Sequence, residues 1–153
     1  MPQTTGAISG AVATVFIWDA NLGTPAYVDI SGASQSIDAV TATVTNGEAY
    51  TFTGAHAIIT IGKQEPVEVT VNILYTEITT EPFLIVRKIF EDGDATQIKW
   101  LPAGSTSGAD QYETKTVGYI TSFDYPPVDA SSAGPVMVSF TLRAPGITYT
   151  ANT

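Results

Sequence analysis

One segment constrains the fold more than any other. Between Glu65 and Tyr75 the chain alternates strictly, with Val67, Val69, Val71, Ile73 and Tyr75 on one parity and Glu68, Thr70 and Asn72 on the other. A period of two is that of an extended strand, whose successive side chains point to opposite faces of a sheet. Burying its four aliphatic residues contributes about 6–12 kcal/mol before chain entropy is subtracted. That face must therefore lie on a core.

A second signal closes the chain. Two alternating runs, Val117–Tyr125 and Val136–Arg143, flank a connection rich in Pro, Gly, Ser and Asp. This is the pattern of two antiparallel strands joined by a long loop. Further strands are expected at Val12–Trp18, Tyr27–Ile30, Ile37–Val44 and Ile98–Leu101, with a turn or bulge at Ser31–Ser34 and a strong turn signal at Asn46-Gly47. One helix is predicted over about residues 81–91. Thr79 or Thr80 is placed to cap it, Pro82 to open it, and Gly93 to take the left-handed position past its end. Phe83, Val86, Ile89 and Phe90 recur at helical spacing, opposite Arg87, Lys88, Glu91 and Asp92, so the helix should lie on the sheet. The expected fold is mainly β: an antiparallel β-sandwich or barrel with one flanking helix, in a single domain spanning 1–153. Residues 1–11 read as an N-terminal arm, 46–64 as an extended loop or hairpin, and 147–153 as a terminal strand or tail.

Composition narrows the function. Only 14% of the 153 residues are charged while 44% are hydrophobic, against about 25% charged in an average soluble protein. Neutral surface is thus available for burial against other copies. The 15 acidic and 6 basic residues give a net charge of -9, which opposes phosphate binding, since that needs Lys and Arg to displace counterions. There are no cysteines, so disulfides and thiolate chemistry are excluded and a reducing compartment is compatible. The apolar stretch Ala7–Trp18 has no preceding Lys or Arg and is too short to span a membrane. The chain is expected to be soluble and unprocessed.

No residue pattern points to catalysis, a metal or a cofactor. His56 is the only histidine and stands in a loop-like stretch, where it reads as a surface or interface residue. Residues 104–108 superficially resemble a nucleophile elbow, but Thr106 is central and no helix follows. Asp92-Gly93-Asp94 starts like a calcium loop, yet Ala103 stands where the bidentate glutamate belongs. Asp124 and Asp129 could pair as carboxylates only in a cleft that the sequence does not define. Trp18, Trp100, Tyr112, Tyr119 and Tyr125 could form a sugar-binding platform, but they fall in or beside strands, where core or subunit contacts are the commoner role.

The order of features then becomes informative: Tyr27-Val-Asp-Ile-Ser-Gly32, the stretch Thr51-Phe-Thr-Gly-Ala55, the helix opening at Glu81-Pro-Phe83, then Trp100-Leu-Pro-Ala-Gly-Ser105, Tyr112, Gly118–Phe123 and Val136–Leu142. From Tyr27 to Gly146 this order resembles the major tail tube proteins of long-tailed phages with flexible tails. The resemblance implies a virion structural protein without enzymatic activity. Its copies would form six-fold rings whose strands join in a continuous inner barrel, and the rings would stack into a tube for DNA ejection. It implies partners such as tape measure, tail terminator and tip proteins, assembly in the host cytoplasm, DNA passing without specific binding, and no membrane contact. By position in the strand order, residues 46–64 would be the inter-ring stacking element, with Tyr50, Phe52, His56, Ile58, Ile59 and Ile61 as interface residues. Glu68, Asp124 and Asp129 would be acidic residues facing the lumen. The alternatives are a β-sandwich binding module, such as an adhesin or carbohydrate-binding domain, a head decoration protein, or a related contractile-injection tube.

Overall fold

The computed structural model describes residues 7–104, 109–115 and 117–151. After a single 3-10 turn at Gly10–Val12 come β1 (Thr14–Asp19), β2 (Ala26–Asp29), β3 (Ser34–Ile37), β4 (Val44–Ala49), β5 (Ile58–Gln64) and β6 (Val67–Leu74). They are followed by α1 (Pro82–Asp92), β7 (Ile98–Leu101), β8 (Gln111–Thr114), β9 (Tyr119–Phe123), β10 (Met137–Ala144) and β11 (Ile147–Thr150). Among the described residues these strands build a five-stranded sheet in the order β11-β8-β7-β1-β2, a four-stranded sheet in the order β3-β6-β10-β9, and a separate ribbon of β4 and β5. All their pairings are antiparallel. The mainly-β architecture with one flanking helix is thus the one read from the sequence.

The alternation of β6 organises the core. Val67, Val69, Val71 and Ile73 are buried, and the facing register sets Phe140 beside Val71 and Leu142 beside Val69. Val15, Ile17 and Ile98 come from the five-stranded sheet and join the same cluster, as expected when two sheets press their apolar faces together. The two strands of the closing segment do pair, β9 on β10, with an irregularity between Thr141 and Leu142.

Helix α1 seals this core on the β9 side. Phe83, Val86 and Ile89 are buried. The Phe83 ring lies 4.7 Å from Tyr75 and 5.4 Å from Phe123, while Phe90 stacks on Phe123 at 5.5 Å. The exposed side is tied by Arg87–Glu91 and Lys88–Asp92 pairs of 3.8 and 3.2 Å. Pro82 opens the helix and Gly93 ends it at φ 68, with its N–H bonded to the carbonyls of Ile89 and Phe90. The cap is a correction: Glu81, not Thr79 or Thr80, holds the N-cap position, and it makes no side-chain capping bond.

Three other expectations change. The strand expected at Ile37–Val44 is Ser34–Ile37 instead, because the chain leaves β6 after Asp38, whose N–H bonds to the Thr70 carbonyl, and pairing resumes only at Thr43, whose carbonyl accepts from the Glu65 N–H at the foot of the β4–β5 ribbon. Asn46-Gly47 is not a turn but lies within β4, where Gly47 relieves a close approach: a Cβ there would sit 2.9 Å from Thr60 Oγ1. The segment 46–64 is accordingly a hairpin ribbon. The first strand begins at Thr14 rather than Val12, since Gly10–Val12 is taken up by the 3-10 turn. Strand β8 is short and polar and gave no periodic signal. Residues 147–150 form β11, paired with β8; residues 1–6 of the expected arm, 105–108 of the neutral loop and 152–153 of the tail lie outside the described residues.

Candidate assembly interface

The ribbon is the most exposed apolar feature. Every residue of β4 and β5 is exposed, and the fractional exposures of Tyr50 (78%), Phe52 (111%), Ile59 (66%) and Ile61 (79%) are those of side chains wholly in water. Ile58 is exposed on the opposite parity, and His56 is exposed in the connection. A lone two-stranded ribbon is marginally stable in water, and a contiguous exposed apolar patch marks a contact surface. Between Tyr50 and Gly62 the chain carries no carboxylate. The six residues singled out from the sequence are therefore brought together on one projection.

A second apolar surface is concave. The β3 side of the core is left open as a cleft of about 790 Å³, lined among others by Val15, Ile37, Val40, Trp100 and Ile147. Trp100 stacks on Tyr112 at 5.8 Å, and Tyr112 packs on Tyr149 at 5.4 Å, extending the wall. Among the described residues Asp38 is the sole Asp, Glu, Lys or Arg lining it. This cleft is not legible in the sequence, because its walls come from segments far apart in the chain.

The outward face of the four-stranded sheet is polar and cross-linked. Glu68 and Arg143 stand opposite each other in register and pair at 3.4 Å. Thr70 and Thr141 share a hydrogen bond of 2.9 Å. The Asn72 amide donates to Ser36 at 2.9 Å and to Asp38 at 3.3 Å, and the Ser139 hydroxyl donates to Asp124 at 2.7 Å. Of the chain's 6 Lys and Arg residues, Arg143 is the one carried by these four strands. Asp129 is elsewhere, in the β9–β10 connection, where the Ser131 hydroxyl and backbone N–H hold its carboxyl below the usual range. Glu68 and Asp124 thus share one face, and Asp129 does not join them on the sheet.

The outward face of the five-stranded sheet holds an aromatic cluster. The Lys99 ammonium lies 4.9 Å from the Phe16 ring centre and 4.3 Å from that of Tyr27, and Trp18 meets Tyr27 edge-on at 5.3 Å. The Tyr27 hydroxyl donates to Glu113. Burial, reinforced by that carboxylate, raises the phenol above its ordinary range and keeps it protonated. The five residues of the possible sugar platform are not gathered: Trp18 is on this outer face, Trp100 and Tyr112 face the cleft, Tyr119 is exposed on β9 opposite Arg143, and Tyr125 packs on Phe123 beside the other sheet. Among the described residues no three His, Asp or Glu side chains group as a metal site, and no helix is long and apolar enough to cross a membrane.

No protein-family model matches the sequence, and no curated protein does. Solved structures do match in fold. A chain of the six-fold symmetrised anti-feeding prophage baseplate aligns with a TM-score of 0.76 at 12% identity, covering 97% of this chain and 98% of that one. A chain of the sheath–tube complex of an extracellular contractile injection system, PVC, in its extended state gives 0.72 at 16% identity, over 96% and 93%. The SPP1 tail tube gives 0.62 at 18% identity, over 95% of this chain and 80% of that one. The fold is therefore that of phage-type tail tube proteins.

Proposed function

We propose that this chain is a structural subunit of a phage-type tail tube, in which copies form rings, six to a ring, that stack around a central channel. The observation that carries the reading is the projecting ribbon, whose apolar side chains find no cover among the described residues of their own chain. Six-fold symmetry is supported by the anti-feeding prophage neighbour, whose baseplate structure is six-fold symmetrised. Residues 1–153 act as one unit, with 1–11 and 147–153 as the segments that reach neighbouring subunits. The role is non-catalytic and needs no cofactor. Tape measure, terminator and tip proteins are the partners, and the site of action is the virion tail, assembled in the host cytoplasm.

In this reading the polar face of the four-stranded sheet lines the channel. Asp38, Glu68 and Asp124 against Arg143 leave that face at net -2, while Thr70 and Thr141 hydrogen-bond to each other, Asn72 to Ser36 and Asp38, and Ser139 to Asp124. Such a wall carries more carboxylates than cations, and its one cation, Arg143, stands in an exposed pair with Glu68, so phosphate gains little there. Asp129, in the adjoining loop, is assigned to the same channel.

Electron microscopy of the concentrated, purified chain tests the assembly: stacked rings or tubes with an axial channel are expected. A persistent monomer that binds glycans would instead establish the binding-module alternative. The channel assignment has its own test. Glu68→Lys changes the face from three acids and one base to two of each, setting two cations side by side. Tubes of this variant should retain DNA at low salt and release it at high salt, whereas parent tubes retain none. Intact variant tubes that behave like the parent would place Glu68 away from the channel.

A further inference from the structure

Two apolar surfaces have no occupant among the described residues, and they complement each other. One projects, the ribbon of β4 and β5 with its tip at residues 50–57. The other is the cleft of about 790 Å³, within the range of about 300–1,000 Å³ for pockets that enclose a drug-sized molecule. That is room for the rings of Tyr50 and Phe52. We infer that the ribbon tip of one copy seats in the cleft of another copy. The inference rests on the tube reading and supplies the receiving surface for its stacking element.

Charge selects this pairing. With a net charge of -9, copies repel one another, and contact costs least where carboxylates are absent. The stretch Tyr50–Gly62 has none, and among the described residues Asp38 is the sole carboxylate lining the cleft. Geometry excludes the chain's own cleft as the acceptor. Asp38, Ala39, Val40 and Ala42 line the cleft and lead through Thr43 into β4, whose six residues carry the tip about 20 Å from that root at about 3.3 Å each. A tip held away from its own cleft by a paired ribbon has to find a second copy. Donor and acceptor are then different patches of one chain, a heterologous contact that repeats without limit unless it closes into a ring.

The absence of cysteine makes the contact directly readable. Chains carrying Thr53→Cys, an exposed tip position that keeps both rings, are mixed with chains carrying Ala42→Cys, an exposed position on the cleft rim, assembled, and treated with a short bis-maleimide. Val40→Cys serves as a second cleft position, and Lys99→Cys, on the outer face of the five-stranded sheet, is the control. Linked heterodimers should exceed the control by at least about tenfold, through the effective concentration of a docked tip. The Thr53→Cys/Ala42→Cys double variant should give a ladder of covalent multimers on a denaturing gel. Tubes that form without linkage at either cleft position overturn the inference and leave the tube reading standing. A fast-migrating intrachain product, or linkage of Ala42→Cys to Thr4→Cys of the same chain, assigns the cleft to the chain itself and also overturns it. Absence of any assembly by microscopy overturns the tube reading first.

Discussion

Deleting residues 50–59 is expected to abolish tube growth while leaving the subunit folded. None of these residues belongs to the buried core, and β4 and β5 are exposed along their whole length. The deletion thus removes no core packing, and the melting temperature should stay within about 2–4 °C of the parent, the shift that about 1 kcal/mol produces in a domain of this size. Single changes should act in proportion. Covering a Phe or Leu-sized side chain contributes about 1.5–3 kcal/mol, so Phe52→Ser should raise the concentration needed for assembly by roughly 10- to 150-fold. Circular dichroism and electron microscopy of the same samples check both halves. Loss of β-sheet dichroism in the deletion would make the ribbon part of the fold, and the assembly role assigned to it would fail.

The opposite dissociation is expected at Phe140. Its side chain is 1% exposed, at the middle of β10, with Val71 of β6 on one side and Phe123 of β9 on the other. Phe140→Ala removes a ring from a closed site and should cost about 3–5 kcal/mol, a large part of the roughly 5–15 kcal/mol that holds a typical domain folded. Urea unfolding should show the midpoint falling with an unchanged slope. Assembly should fail only under conditions where the variant chain is unfolded, in contrast to the ribbon deletion, which fails while folded. A loss below about 1 kcal/mol would mean that the sheet interface closes over the gap, contrary to the rigid packing that the register implies.

The two signals that proved reliable are periodic and local. The alternation of Val67–Ile73 specifies a half-buried strand because the side-chain period of a strand is two. The helix at Pro82–Asp92 has an apolar stripe and a start and stop of its own. Where expectation departed from structure, the deciding atoms were distant in sequence. Asn46-Gly47 has the chemistry of a turn, but Thr60 across the ribbon determines that Gly47 serves close approach instead. Residues 39–42 alternate like a strand but lie between the β3–β6 pairing, which ends at Asp38, and the ribbon, where pairing resumes at Thr43. The pairing of Glu68 with Arg143 spans 75 positions, and no pattern within either strand announces it.

By itself, then, the sequence determined the class of fold, the position of the lone helix and the neutral, aromatic-bearing segment that projects as a ribbon, because propensity, periodicity and charge are carried by neighbouring residues. Only the tertiary structure decided which acids share a face, that Arg143 pairs with Glu68 there, and that the core stays open on the side of β3. Those properties depend on sheet order and register, which bring Ile37, Trp100 and Ile147 around one cleft. Sheet order is set by the packing of all strands at once, and no single segment encodes it.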